Sequence, residues 1–168
     1  MDPNKPAVRN PRNKPWKWIG LAALLAGGIS VFVITKVHVS SAPQGDSPQC
    51  AKVTSLAPGK IPGRERDWTL GDGVAAWGDQ SAILRCGVGE LAPTVNLCLT
   101  VDGIDWVLDE ERLNHDGVSV LRTYGRSPAV EFSYRGPREE VGGMLAALTP
   151  AIEWIPQKAK CLNVEDSG

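Results

Sequence analysis

Five residues of this 168-residue chain carry the side chains best suited to chemistry: Arg85, Asp105, Trp106, Tyr124 and Arg126. A guanidinium is a planar fork that clamps a carboxylate or phosphate, and an indole or phenol ring stacks on sugars and aromatic groups. Arg85, Asp105 and Arg126 would form the polar centre of a binding site, with Trp106 and Tyr124 beside it. The plainer alternative is that Trp77 and Trp106 fill a core while Arg85 or Arg126 pairs with Asp105. The second reading is favoured on the residue types alone.

Other chemistry is poorly supplied. His115, in "LNHDG", is the only histidine beyond His38 and would have to serve alone as a general base. "GDSP" at 45–48 has the form of a serine nucleophile box, but no D-x-x-H follows to supply a base and its orienting acid, and no G-x-S-x-G elbow exists. "GDG" and "VDGIDW" lack the acidic ladder of a calcium loop. Asp109, Glu110 and Glu111 read as a solvated charge run. No cofactor and no metal is expected, and a non-catalytic role is favoured over an enzymatic one.

The four cysteines, Cys50, Cys86, Cys98 and Cys161, all follow residue 49. No C-x-x-C spacing supports zinc, so the reading is two disulfides formed in an oxidising compartment. Three pairings are possible. Spacing favours Cys86–Cys98 as a clasp between neighbouring strands and Cys50–Cys161 as a tie between the domain ends.

The front of the chain explains the compartment. Residues 1–17 hold Lys5, Arg9, Arg12, Lys14 and Lys17 against one acid, Asp2, and read as a basic cytoplasmic arm. Residues 18–39, "WIGLAALLAGGISVFVITKVHV", carry no charge from Ile19 to Ile34. As a helix they would reach about 33 Å, enough for a hydrocarbon core of about 30 Å. The basic flank predicts a transmembrane signal-anchor with its N-terminus cytoplasmic and the C-terminal domain extracellular. Cleavage near Ser41 and secretion is the alternative. From residue 42 onward, 12 Lys and Arg face 18 Asp and Glu, a net of −6. So acidic a domain argues against nucleic acid as a partner. The expected partners are the membrane, through residues 18–39, and an envelope protein or cell-wall material.

Residues 40–49, "SSAPQGDSPQ", read as a polar linker, 50–162 as the exported domain and 163–168 as a tail. "AILRCGV", "NLCLTV", "IDWVL", "VSVLRTY" and "AVEFSYR" read as strands, the second and third joined by a turn at Asp102-Gly103. In the last of these, Val130, Phe132 and Tyr134 share one face, the pattern of a half-buried strand. Val141, Met144, Leu145 and Leu148 fit a helix beginning after Pro137. The expected fold is α+β: an antiparallel sheet of four to five strands covered by one or two helices.

Trp77-Gly78, Arg85-Cys86-Gly87, Asp105-Trp106 and Thr123-Tyr124-Gly125-Arg126-x-Pro128, with a cysteine near each end of the domain, form a combination of their own. It resembles the actinobacterial family known as domain of unknown function 3515, over most of residues 48–161. The resemblance implies a small secreted or membrane-anchored protein with an N-terminal apolar segment. It carries over Trp77, Gly78, Arg85, Cys86, Gly87, Trp106, Tyr124, Gly125, Arg126 and Pro128, and implies no activity.

Overall fold

The computed structural model describes residues 37–161. The basic arm, the apolar segment up to residue 36 and the tail from residue 162 lie outside the described residues. Within them no helix is long and apolar enough to cross a membrane.

The frame is one six-stranded antiparallel sheet. Its strands are β5 (Val74–Trp77), β6 (Ala82–Val88), β7 (Cys98–Val101), β8 (Ile104–Leu108), β9 (Ser119–Thr123) and β10 (Ala129–Tyr134), in the order β5-β6-β10-β9-β8-β7. Period-two alternation decides which face each residue joins. Ala75, Trp77, Leu84, Cys86, Val130, Phe132, Tyr134, Leu121, Ile104 and Trp106 point to an inner face, where they are buried. Two helices cover it: α1 (Pro48–Leu56), through Cys50 and Val53, and α3 (Val141–Ile152), through Met144, Leu145, Leu148 and Ile152. Burying each of these large side chains is worth about 1.5–3 kcal/mol, so the sheet–helix layer is the main source of stability.

The α+β architecture and the helix after Pro137 agree with the sequence reading; the sheet has six strands rather than four to five. The added strand is β5. It is buried on both sides, because Val39 packs on Val74 and Ala76 from the outer face. A helix α2 (Glu110–Asp116) also replaces the expected charged loop. Asp109 caps it by accepting a 2.9 Å bond from the Arg112 amide, and Gly117 ends it at φ 65°.

The proposed linker is part of the domain. Strand β1 (Val37–His38) runs parallel to β4 (Thr69–Leu70), so the last residues assigned to the membrane span pair inside the fold. The Gln44 amide then donates to the Gly87 carbonyl at 3.1 Å, and Ser47 Oγ caps α1 by accepting from the Cys50 amide. Two short strands, β2 (Lys60–Ile61) and β3 (Arg64–Glu65), form a hairpin whose continuation covers the outer edge of β5, with the Asp67 amide donating to the Ala76 carbonyl.

Two disulfides are present, but not in the expected pairing. They join Cys50 to Cys86 and Cys98 to Cys161, with Cα–Cα separations of 5.3 and 6.3 Å. A Cys86–Cys98 clasp assumed that β6 and β7 are neighbours. Instead β10, β9 and β8 lie between them, which at about 4.8 Å per strand puts them about 19 Å apart. A disulfide spans at most about 7 Å between Cα atoms. Cys86 faces inward beneath α1 and meets Cys50 there; Cys98 lies on the edge strand, where the end of the domain returns.

Candidate functional site

Arg126, at the turn between β9 and β10, is buried and its guanidinium faces backbone carbonyls. It donates to the carbonyls of Glu153 and Gly103, both at 3.3 Å, and to that of Ile155. Glu153 and Ile155 follow α3, so the cation sits at the negative end of the α3 dipole, an arrangement that favours its charge. Burial lowers the Arg126 pKa, and the charge of Asp105 partly restores it.

Asp105 is spent on the same task. Its carboxylate accepts from Thr100 Oγ1 at 2.7 Å, Gln157 Nε2 at 2.8 Å and the Cys161 amide at 3.0 Å. Burial opposes its charge, but these three donors and the nearby Lys160 outweigh burial and hold its pKa below the usual value. Gly125 completes the clasp. At φ 68° it accepts from the Lys158 amide at 2.7 Å, and a Cβ there would lie 2.6 Å from the Ala159 nitrogen. The segment after α3 is thus held by Asp105, Gly125, Arg126 and the Cys98–Cys161 bridge.

Arg85 is elsewhere. It shares the outer face with Asp105 but lies three strands away, about 14 Å at the usual strand spacing. There a row crosses the sheet in register: Arg85 on β6, Glu131 on β10 and Arg122 on β9. Glu131 gives one carboxylate oxygen to Arg85 at 3.2 Å and the other to Arg122 at 2.8 Å. The Nε atoms of both arginines are buried without a hydrogen-bond partner. Trp106 fills the inner core, as does Trp77, whose Nε1 donates to the Pro58 carbonyl at 3.0 Å. The three residues of the expected polar centre therefore do not converge; Asp105 and Arg126 form a clasp and Arg85 an ion pair.

Tyr124 remains at an open site. It lines a cavity of about 480 Å³ under the 93–98 segment, with Val95, Leu97, Val107, Lys160 and the Cys98–Cys161 bridge. Val95 is wholly exposed at its mouth, at 103%, and Leu97 is half exposed. An aromatic ring, aliphatic walls and one cation suit an extended apolar segment or an amphipathic anion. Sequence reasoning missed Val95, Leu97 and Lys160. The run "LAPTVNLCLTV", eleven residues without a charge in an acidic domain, is the signal that could have found Val95 and Leu97; no local signal marks Lys160.

A second cavity of about 80 Å³ opens on the outer face at the β6–β10 side. Arg85, Arg112, Arg135, Glu131, Ser81 and Ser133 are among its walls. Arg112 and Arg135 were also missed: Arg112 follows a run read as solvated charge, and Arg135 closes a strand read only for its alternation.

One family model, described as "Protein of unknown function (DUF3515)", matches residues 23–160. No curated protein and no solved structure matches the chain.

Proposed function

As the chain belongs to the DUF3515 family of proteins of unknown function, we propose a role from its residues: a membrane-anchored, envelope-facing module that binds a partner protein without catalysis. Residues 18–36 hold it in the membrane, the N-terminus stays cytoplasmic and the disulfide-bonded domain is exported. Both disulfides support an oxidising compartment, and the basic arm before an apolar segment supports this orientation. Release by signal cleavage would leave the same domain secreted.

One observation carries the binding role. Asp105 and Arg126 are consumed by internal ties, while the cavity of about 480 Å³ beside Tyr124 stays open and is rimmed by exposed apolar residues. Apolar side chains such as Val95 and Leu97, exposed together beside a concave site, mark a contact surface. The alternative of a cell-wall ligand binder or enzyme built on Arg85, Asp105 and Arg126 loses support from the separation of Arg85 from the other two.

A photo-crosslinking residue at Val95 tests this in native cells. The expected result is a discrete protein adduct from Val95 and none from Leu56, an exposed apolar residue on α1. Equal labelling from both positions, or none from Val95, overturns the proposal.

A further inference from the structure

The domain from residue 42 carries a net charge of −6, yet its outer sheet face is locally positive. Arg85, Arg112, Arg122 and Arg135 meet there, with Glu131 and Asp116 as the acids paired to them. Three of these arginines, Arg85, Arg112 and Arg135, wall the cavity of about 80 Å³. They come from three separate elements: β6, α2 and the residue following β10.

We infer that this cavity binds a phosphate group, as a monoester or diester, through Arg85, Arg112 and Arg135. Each existing acid leaves capacity over. Glu131 turns its two oxygens to Arg85 and Arg122, so one carboxylate serves two guanidiniums. Asp116 meets Arg112 through a single exposed contact at 2.7 Å, a pairing worth little in water. Arg85 bonds Glu131 through Nη1 alone, which leaves its Nη2 donors for an incoming oxygen. Arg135 adds a further cation at the rim.

Shape selects phosphate over a carboxylate. A planar carboxylate is satisfied by one guanidinium fork, whereas cations arriving from three elements suit an anion with oxygens in three directions. Ser133 lines the same cavity and offers a hydroxyl donor, while Ile83, Val118 and Val120 line its apolar part. The cavity of about 80 Å³ admits a phosphate group. A phospholipid headgroup and a soluble phosphodiester polymer share this chemistry.

The test is calorimetric titration of the full chain in neutral detergent with inorganic phosphate, with acetate at the same ionic strength as the comparison. Phosphate should bind and acetate should not. The Arg112→Ala/Arg135→Ala variant should weaken phosphate binding about tenfold or more at an unchanged melting temperature. Both side chains are surface groups whose loss spares the core, and Arg138→Ala, an exposed arginine outside the cavity, should have no effect. Glycerol phosphate and vesicles containing phosphatidic acid then separate the two sources: binding to the soluble ester alone assigns a polymer, and added capture by vesicles assigns a lipid. Equal binding of acetate, or a double variant that binds phosphate like the original chain, overturns the inference. The cavity beside Val95 is a different one, so its crosslinks test the partner-binding proposal separately.

Discussion

Removing the two disulfides one at a time sets chain entropy against packing. Cys50–Cys86 spans 36 residues and Cys98–Cys161 spans 63. By loop closure alone at 25 °C they contribute about 3.8 and about 4.3 kcal/mol, so the longer loop should matter more. The structure reverses that order. Cys50 and Cys86 are fully buried between α1 and β6, so Cys50→Ala/Cys86→Ala adds a core void to the lost constraint. With about 1 kcal/mol for the void, the loss is about 5 kcal/mol. At the other bridge, the six residues 156–161 would be left with three clasp bonds, from Lys158, Gln157 and the Cys161 amide. These contribute about 1 kcal/mol each, against about 1–2 kcal/mol per residue for ordering the backbone.

Once untethered, that segment frays in the folded protein and recovers part of the entropy the bridge had removed. The loss for Cys98→Ala/Cys161→Ala is therefore about 2–3 kcal/mol, below the loop-closure figure. Urea titration followed by tryptophan emission measures both, since Trp77 and Trp106 are buried reporters. Hydrogen exchange should show the Lys158 amide unprotected in the second variant while β6 and β10 amides stay protected. A Cys98/Cys161 variant as unstable as the Cys50/Cys86 variant, or less stable, would refute the reasoning.

The clasp gives two further predictions. Asp105 has a depressed pKa in the folded chain, so its charge stabilises above the unfolded value near 3.9, and that contribution is lost as pH falls through the folded value. Asp105→Asn should cost about 1–3 kcal/mol at pH 7, and the gap between urea midpoints should narrow between about pH 5 and pH 3. Gly125→Ala places a side chain at φ 68° and against Ala159; it should cost at least about 1–2 kcal/mol and expose the Lys158 amide to exchange without loss of sheet protection.

The sequence carried the strands and α3 because each has one wet face and one dry face. Val130, Phe132 and Tyr134 alternate with Glu131 and Ser133, and all three apolar residues are buried. β5 escaped notice for the opposite reason. "VAAW" is dry on both faces, under the helices on one side and Val39 on the other, so no alternation marks it. Helix α2 did carry a signal, an Asp cap, two acids in the first turn and a closing glycine, but its seven residues were too few to show a periodic face. Strand order was not legible at all, because the 89–97 connection crosses from the second strand of the sheet to its far edge. The disulfide pairing failed with it. Arg126 stood out in the sequence only as a candidate for a polar centre or a pair for Asp105. Its partners are 23 to 29 positions away, and no local pattern reports them.

The covalent link between α1 and the sheet also sets a mechanical limit. A pull on the chain ahead of residue 37 would first load the short β1–β4 pair and then the Gln44–Gly87 contact, both held by a few backbone bonds. Peeling can proceed through residue 49, but at Cys50 the load passes directly into β6, the second strand of six. From there extraction must shear several antiparallel ladders together. The disulfide is a stop that leaves about a dozen residues of give and shields the helix-covered core from tension applied at the front of the chain.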